Sequence, residues 1–516
     1  MKAVVTEDSN WLVFTEYTDR ELQQMRSSLT KKIRNWMFNP LVRKKLWDGN
    51  ISFLDKANRV PIGLIAKVKD VCAKFGIPIE IDGIERSIWS DFDEKHFSEW
   101  AEEYFKDHEK KPRDYQIDAA LKILKYKRSI SELATSAGKT LIIFMIFAYL
   151  KHVGKLSKML IVVPNTSLII QTLDAFEEYS FEKKLTKFKA QMVSGEVNEK
   201  KKQDVDIVIG TFQSLVKQNE SWFEGINVVC VDEAHFTNAK SVKVVISKCR
   251  DAEIKFGLSG TLQQDDTADA LTIQAFIGPL INKIRPIDLF EKKVATPVNI
   301  KVVRLKYKNN ELCKKLFDLR LIKDTVTGEK QLALERELVI KSNERFRVIC
   351  DLIKKSKNNS LVLFQNIKDN YGRRIYDQLR EETDDRGIHY VDGSTSINIR
   401  DEYKKLMEES GDKILIASFG TFSTGISINN IHNIFFVESY KSEKIIKQSI
   451  GRGMRLNANK DVVTIIDIQD DLSWKKHDGS KRSVKAEKNY LLKHGESRID
   501  IYKDEEFPYK IYTMEI

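Results

Sequence analysis

Short runs of valine, isoleucine and leucine recur in two separate stretches of the chain, where they alternate with segments typical of helices. Runs of this composition indicate strands that are buried on both faces, as in parallel sheets. Strands that alternate with helices predict βαβ units. The candidate strands are Met159–Val163, Asp206–Ile209, Val228–Val231 and Lys255–Leu258 in the first stretch, and Leu361–Phe364, Ile414–Ala417, Ile434–Val437 and Val462–Ile466 in the second. The predicted fold class is α/β, with two tandem domains on parallel sheets.

The chain has 516 residues, which is too many for one hydrophobic core. We expect a small N-terminal α+β domain before the two α/β domains. The predicted segments are the N-terminal domain 1–107, the first α/β domain 108–285, a connecting segment 286–340, the second α/β domain 341–490 and a C-terminal tail 491–516. Within the connecting segment, Asp324–Glu329 indicates a hairpin turn or loop.

Net charge, cysteine usage and hydropathy narrow the possible partners. The formal net charge of +11 favours polyanions such as nucleic acid. The five cysteines include no C-x-x-C pair, which predicts buried free thiols in a reducing compartment. The strongest apolar run, Leu141–Leu150, is far shorter than the roughly 20 residues that span a bilayer. We therefore expect no membrane partner.

The segment Leu133–Thr140 has the composition of a phosphate-binding loop that opens a helix. Small residues let backbone N–H groups turn toward phosphates. Lys139 is predicted to reach the β- and γ-phosphates of ATP, and the Thr140 hydroxyl to bind Mg²⁺. Leu133 occupies the first glycine position of the standard loop, and Ser136 stands at another position where glycine is common in such loops.

Three further features extend the predicted ATP site. Asp232 and Glu233 follow an apolar strand, so that Asp232 is expected to hold Mg²⁺ and Glu233 to orient and polarise the attacking water. Gln116 is predicted to read adenine through its amide. Arg452 and Arg455 are three residues apart, and on a helix they would share one face. Their guanidinium groups suit the charge that develops on a transferred phosphoryl group.

Taken in order, these segments resemble the motifs of helicase superfamily 2. The matching segments are Pro112–Gln116, Leu133–Thr140, Ile161–Thr166, Gly210–Gln213, Asp232–His235 (a DEAH form), Ser259–Thr261, Leu361–Phe364, Ser423–Ser427 and Gln448–Arg455. The resemblance implies two RecA-like domains and use of ATP with Mg²⁺. One departure is Ser427, since many relatives have at this position an aspartate that contributes to the nucleotide site.

The resemblance also assigns roles to individual residues. It implies ATP-binding residues at Gln116, Thr135, Ser136, Ala137, Gly138, Lys139, Thr140 and Gly425. It implies nucleic-acid contacts at Pro164, Thr211 and Thr424, and coupling of hydrolysis to movement through Ser259, Thr261, His235 and Gln448.

Two segments outside those motifs, Phe38–Gly49 and Asn489–Gly495, resemble the recombination helicases of T-even-type bacteriophages. That resemblance implies a monomeric 3′→5′ DNA helicase in the host cytoplasm. It further implies action on forks, Holliday junctions, D-loops and R-loops, in recombination, repair and replication, beside phage recombination and single-strand-binding proteins.

Basic residues flank aromatic residues in the first hundred positions. Lys44 and Lys45 are the predicted DNA contacts, since lysines neutralise phosphates without reading sequence. Trp36, Phe38 and Trp47 are either core residues or platforms on which bases stack. A second basic run, from Lys475 to Lys485, is either a duplex contact or a loop.

The working hypothesis is a motor that binds ATP in a cleft between two RecA-like domains and steps along one strand as the cleft closes and reopens. Two alternatives stay open. One is a translocase that moves on duplex DNA without separating its strands, and the other is a nucleic-acid-binding module whose ATPase has decayed. RNA is not excluded as a substrate, because such motors grip the backbone.

Overall fold

The computed structural model describes residues 1–8, 10–33, 36–87, 89, 91–182, 184–195, 204–234, 239–260, 267–308, 310–320, 325–365, 369–382, 386–425, 428–474 and 488–516. The chain divides into two compact units, Met1–Ile284 and Arg285–Ile516.

The first unit contains two sheets and a two-stranded ribbon. Its strands are β1 Lys2–Val5, β2 Trp11–Glu16, β3 Thr30–Lys32, β4 Asn50–Ser52, β5 Arg59–Pro61, β6 Glu80–Asp82, β7 Arg128–Leu133, β8 Met159–Val163, β9 Ala190–Val193, β10 Ile207–Thr211, β11 Val228–Asp232, β12 Ile254–Ser259 and β13 Leu280–Ile284. Its helices are α1 Asp19–Ser28, α2 Pro40–Arg43, α3 Ile65–Phe75, α4 Glu94–Tyr104, α5 Asp114–Tyr126, α6 Lys139–His152, α7 Thr166–Tyr179, α8 Phe212–Leu215, α9 Ala239–Lys248 and α10 Ala268–Phe276, with 3-10 turns at Trp36–Phe38, Ile62–Leu64, Ile84–Ser87 and Glu220–Phe223.

The N-terminal sheet is mixed, in the order β5-β2-β1-β6, which confirms a small α+β region. Its core continues into α10 through Leu271 and Ala275. The approach is close, because a Cβ added at Gly63 would lie 2.0 Å from the Gln274 carbonyl oxygen. This region is therefore packed on the sheet domain that follows it.

Helix α4 also packs on the sheet domain, although the predicted boundary at residue 107 assigns it to the N-terminal domain. Phe97 and Trp100 lie 4.9 Å and 5.2 Å, between ring centroids, from Tyr149 of α6. Sequence spacing does not report this contact, because aromatic residues on an amphipathic helix fit either neighbour.

The large sheet of the first unit has seven parallel strands in the order β13-β7-β12-β11-β8-β10-β9. The four candidate strands of the first stretch coincide with β8, β10, β11 and β12 within two residues at either end. Strand β7 has the polar sequence RSISEL, so the apolar pattern does not reveal it, although most of it is buried. The strand order brings the ends of β7, β12 and β11 together at one edge of the sheet.

The second unit is built on another sheet of seven parallel strands, in the order β16-β17-β15-β18-β19-β14-β20. Its strands are β14 Val298–Lys306, β15 Ser360–Phe364, β16 Gly387–Val391, β17 Lys413–Ser418, β18 Asn433–Phe436, β19 Val463–Asp471 and β20 Tyr509–Glu515. Its helices are α11 Pro286–Glu291, α12 Asn310–Arg320, α13 Thr325–Lys341, α14 Asn343–Lys355, α15 Tyr371–Glu382, α16 Ile397–Glu409, α17 Phe419–Gly425, α18 Glu443–Gly453 and α19 Tyr490–Asp504.

Three parts of this unit differ from the sequence-based expectation. Strand β14 lies in the segment expected to be a connector, and β20 lies in the segment expected to be a tail, yet both belong to the sheet. Residues 325–329, expected in a hairpin turn or loop, begin the 17-residue helix α13, so that expectation is wrong. The Thr-Gly pair that suggests a turn is outweighed by the long helical sequence that follows it.

Two buried arginines form ion pairs that join separate elements of the second unit. Arg345 donates to Asp470 through Nε at 2.7 Å and Nη2 at 3.0 Å, and through Nη1 to the Tyr371 hydroxyl at 2.7 Å. Arg498 donates to Asp467 through Nη2 at 2.7 Å. Each buried cation thus has a buried anion and further hydrogen bonds, the arrangement that offsets the cost of desolvation.

All five cysteines are free and buried, as predicted. Within the described residues, no helix is long and apolar enough to cross a membrane.

Candidate nucleotide and nucleic-acid sites

The predicted phosphate-binding loop joins the end of β7 to the start of α6, whose first residue is Lys139. Two loop residues have left-handed backbone, Ser136 with φ of 74° and Gly138 with φ of 77°. Glycine is required at 138 for a second reason, since a Cβ there would lie 2.2 Å from Gln116 Nε2. The loop places the N-terminus of a 14-residue helix where an anion can meet its N–H groups.

Two side chains of α5 hold this loop from below. Gln116 Nε2 and the Tyr115 hydroxyl both donate to the Ala137 carbonyl, at 2.8 Å and 3.1 Å. The Gln116 amide oxygen accepts from the Arg113 N–H at 2.9 Å. Gln116 is therefore buried with both edges of its amide engaged by backbone, so its adenine-reading role stays a prediction. Tyr115 is a positioning residue that the sequence analysis missed, although it lies beside Gln116 in the same motif.

The acidic pair lies opposite the loop, at the end of β11, which β12 separates from β7. Lys139 Nζ is 3.2 Å from Glu233 Oε1. Asp232, the last residue of β11, is buried, and one of its oxygens accepts from the Glu233 N–H at 2.9 Å. Gly260 lies against the same group of side chains. A Cβ at this position would be 3.5 Å from Lys139 Nζ and 3.4 Å from Thr135 Oγ1. Sequence analysis included Gly260 in the segment Ser259–Thr261 and assigned a role only to Ser259 and Thr261.

The electrostatics of the pair are unusual. Burial, followed by repulsion from Glu233, raises the pKa of Asp232 to about 7, while Lys139 acts in the opposite direction. Glu233 has left-handed backbone, with φ of 52°. A bound cation would stabilise the ionised form of a buried carboxylate that has a second carboxylate beside it. Groups with pKa values perturbed in this way are frequent at functional sites.

The oxygen donors fit Mg²⁺, which prefers carboxylates, hydroxyls and water. Asp232 ends β11 and Thr140 is the second residue of α6, and these two would supply protein oxygens to such an ion. Among the residues that the structure describes, no group of three His, Cys, Asp or Glu side chains could hold a metal ion by itself. A magnesium ion here would thus take its remaining ligands from phosphate and water, as is usual for nucleotide-bound Mg²⁺.

The residues expected to contact nucleic acid or to couple hydrolysis in the first unit also lie at or near strand ends. Ser259 ends β12 and is buried. Thr211 ends β10 and is buried, and its hydroxyl lies 3.1 Å from Ser214 Oγ. Pro164 follows β8 and is half-buried. These positions agree with the rule that ligands bind at the carboxyl edge of such sheets.

In the second unit, Arg452 lies in the last turn of α18, and its Nη1 donates to the Phe422 carbonyl. Arg455 lies beyond the helix, which ends at Gly453, so the expectation that both arginines share one helix face is wrong. Burial lowers the pKa of Arg455, and Glu408 opposes that shift. Gln448 is buried on the same helix, and its Oε1 accepts no hydrogen bond from the described residues.

Several predicted residues fall outside the described part of the chain. These are His235, Thr261, Ser427 and the basic run from Lys475 to Lys485. Thr424 and Gly425 lie in α17, but nothing is described beyond their backbone.

The surface around the predicted DNA contacts of the N-terminal domain is both basic and apolar. Lys44 and Lys45 are exposed. Around them Met37, Phe38, Leu41 and Leu46 are 51–73% exposed. Phe38 is therefore not a core residue, whereas Trp36 and Trp47 are half-buried. Lys32 Nζ lies 3.8 Å from the Trp36 ring centroid, a cation–π contact.

Comparisons with known proteins agree with this arrangement. Residues 9–82 match the family described as DNA helicase UvsW, N-terminal; residues 109–264 match type III restriction enzyme, res subunit; and residues 344–457 match helicase conserved C-terminal domain.

The chain is also similar to one curated protein and to two solved structures, among others. The chain is 31% identical over 501 residues to the ATP-dependent DNA helicase uvsW of Enterobacteria phage T4, covering 96% of this chain and 95% of that protein. A crystal structure of T4 UvsW is 29% identical, covers 100% of this chain and 99% of its own, and has a TM-score of 0.49. An ATP-dependent Type ISP restriction-modification enzyme, LlaBIII, bound to DNA shares the fold, with 16% identity, a TM-score of 0.56 and coverage of 87% of this chain and 34% of its own. The chain belongs to the UvsW family of ATP-dependent DNA helicases of superfamily 2.

Proposed function

We propose that this helicase unwinds branched DNA with 3′→5′ polarity, and that it drives Holliday-junction branch migration, fork regression and R-loop unwinding in phage recombination, repair and replication. The observation that carries the motor chemistry is the 3.2 Å approach of Lys139 Nζ to Glu233 Oε1 beside buried Asp232. The substrate preference rests on the family and on the basic, apolar surface of the N-terminal domain.

In the proposed ATPase reaction, Lys139 and the N-terminus of α6 bind the phosphates, and Glu233 orients and polarises the attacking water. Asp232 and Thr140 would hold Mg²⁺, which would supply positive charge to the phosphates. Arg452 and Arg455 supply positive charge to the transferred phosphoryl group. Ser259, Thr261, His235 and Gln448 couple the reaction to movement, while Pro164, Thr211 and Thr424 contact the strand. The remaining residues proposed to bind ATP are Gln116, Thr135, Ser136, Ala137, Gly138 and Gly425.

The proposed branch contact uses the surface formed by Lys44, Lys45 and the exposed apolar residues around them. Exposed apolar side chains can pack against the last base pair of a duplex at a branch point, because that base pair has no neighbouring pair stacked on one face. The lysines would hold the phosphates on either side without reading sequence.

The main experiment measures ATP-dependent unwinding of forks, Holliday junctions, R-loops and RNA duplexes, with directional substrates for polarity. Lys139→Ala should lower ATP turnover by about 10²-fold or more and abolish unwinding, since it removes a cation from developing charge. Lys69→Ala, an exposed lysine elsewhere, should change neither. ATP turnover at the normal rate in Lys139→Ala would show that the site is assigned wrongly. Translocation without strand displacement would favour the duplex translocase.

A second experiment separates branch binding from the ATPase. The double variant Lys44→Glu/Lys45→Glu should weaken fork binding and flatten its salt dependence. The double variant Lys404→Glu/Lys405→Glu reverses the same charge at an exposed pair on α16 and serves as the control. Equal fork binding by both variants would remove the N-terminal surface from the proposal.

A further inference from the structure

A cavity of about 450 Å³ lies beside the large sheet of the first unit, at the amino-terminal ends of its strands. The ATP site lies at the opposite, carboxyl-terminal ends of these strands. It is lined by the N-terminal domain on one side, through Asn10 and Trp11, and by the starts of β7 and β12 on the other, through Arg128 and Lys255. Leu133 and Ser259, at the far ends of these strands, adjoin the ATP site. Five residues of strand separate the two places by about 17 Å.

Two buried cations line this cavity side by side. Arg128 is 9% exposed and Lys255 is 4% exposed. Arg128 Nη2 donates to Asn10 Oδ1 at 2.6 Å. The Lys255 ammonium makes no hydrogen bond or ion pair with any residue that the structure describes. Lysine is almost never buried without a partner, because its charge loses hydration and gains nothing in return.

The surrounding charges do not compensate for this burial. Desolvation first, and then repulsion from Arg128, lowers the pKa of Lys255 to about 7. Desolvation likewise lowers the pKa of Arg128 to about 10. Asp8 raises the pKa of Lys255 only weakly, and its oxygens already accept from Thr6 and Asn10. Arg250 adds a third cation to the lining.

We propose that this cavity is a second anion site, which binds a phosphate group between Lys255 and Arg128. The volume suits a group of mononucleotide size, within the usual range of ligand pockets. Trp11 and Phe276, which also line the cavity, offer apolar surface to the organic part of the ligand. The phosphate belongs either to a free nucleotide or to the backbone of a nucleic-acid strand, and the chemistry recognised is the same.

The site is tested by calorimetric titration of the full chain with sulfate, with adenosine monophosphate and with a short single-stranded oligonucleotide. Every measurement is made in the Lys139→Ala background, so that binding at the ATP site is reduced. Lys255→Met should weaken sulfate and nucleotide binding by about tenfold or more, because it removes a charged donor from a desolvated site. Lys69→Met makes the same change of net charge at an exposed lysine of α3 and should leave binding unchanged.

The arms of the titration identify the source. Each probe is compared between the parent protein and Lys255→Met, because a helicase also binds a single strand away from this cavity. Loss of affinity for adenosine monophosphate and not for the oligonucleotide indicates a free nucleotide, and the converse indicates a strand. Thermal unfolding without ligand shows whether Lys255→Met is folded, and removal of an unpaired buried charge should raise its midpoint. Equal anion binding by the Lys255→Met and Lys69→Met proteins, or no binding of any probe by the parent protein, would overturn the proposal.

Discussion

Asp232 in the first unit and Asp470 in the second are both buried carboxylates near the ends of parallel strands, but their surroundings differ. Asp470 accepts two hydrogen bonds from Arg345 and one from the Tyr307 hydroxyl at 3.0 Å. Asp232 has a second carboxylate beside it, and its pKa is raised to about 7. At Asp470 the second unit completes the ion pair with its own residues, although burial lowers the pKa values of two other cations of that unit, Arg455 and Lys460. The first unit leaves buried charge uncompensated at two places, the ATP site and the cavity at Lys255, and a ligand of opposite charge is expected at both.

The largest predicted effect is in the second unit. Asp470→Asn should lower the free energy of unfolding by about 3–5 kcal/mol, because it leaves Arg345 buried beside a neutral group. Denaturant unfolding that follows the transition of this unit measures the loss. The double variant Arg345→Met/Asp470→Leu removes both charges and should recover much of the stability. A loss below about 1 kcal/mol in Asp470→Asn would mean that the network is not the stabilising feature argued here.

The matched change in the first unit should have the opposite sign. Asp232→Asn should raise the free energy of unfolding at pH 8 by roughly 1–3 kcal/mol, while ATP turnover falls by about 10²-fold. Since the folded pKa is above the unfolded value near 3.8, the cost of this carboxylate is absent below about pH 4 and complete above about pH 7. Unfolding measured at pH 4 and pH 8 without nucleotide checks this. A gain of the same size at both pH values would contradict it.

The substitution Lys255→Met tests the second buried charge of the first unit, which has no partner of opposite charge among the described residues. It should raise the free energy of unfolding by roughly 1–2 kcal/mol at pH 6.5, and the gain should shrink as pH rises toward 10. The sign follows because the folded pKa, about 7, lies below the unfolded value of 10.5, so the cost is largest when the lysine is charged. Arg128, Arg250, Cys249 and Asp8 face or neighbour this ammonium. Sulfate keeps its charge between pH 6.5 and 8.5, and its binding should weaken over that range.

The smallest predicted effect concerns the backbone of the phosphate-binding loop. Ser136 has φ of 74°, a conformation that glycine adopts without steric cost. Ser136→Gly should therefore stabilise the first unit by up to ~1 kcal/mol. Ser27→Gly, within helix α1, should destabilise it by ~0.5–1 kcal/mol. Calorimetric midpoints of the two variants that shift in the same direction would count against strain at 136.

Much of the fold is predictable because its signals are local. Buried parallel strands such as β8 and β11 are continuous apolar runs, and the phosphate loop and the acidic pair stand directly after strands. Strands β14 and β20 were missed because their place in the sheet depends on partners far along the chain, Val298 on Val463 for example. Arg455 lies off the helix because α18 ends two residues earlier, a boundary that spacing alone does not fix.

The candidate site shows the same limit. Lys139, Asp232 and Glu233 are recognisable by type and order, and the structure brings them together. Tyr115 and Gln116 donate hydrogen bonds to the Ala137 carbonyl, and Lys255 is buried, because separate elements pack together in the fold. No pattern along the chain reports such contacts, since exposed and buried lysines have the same local sequence signal.

The five buried thiols give the molecule built-in reporters of local opening. Cys72, Cys230 and Cys249 belong to the first unit, and Cys313 and Cys350 to the second. Burial raises the pKa of Cys72, Cys249 and Cys350 above its ordinary value, so these thiols are protonated and shielded from reagents in the native state. Alkylation by a soluble maleimide must therefore wait for an opening of the region that holds each cysteine. Peptide mapping of the labelled sites then reads the opening rate of each unit separately, in one sample and without any engineered probe.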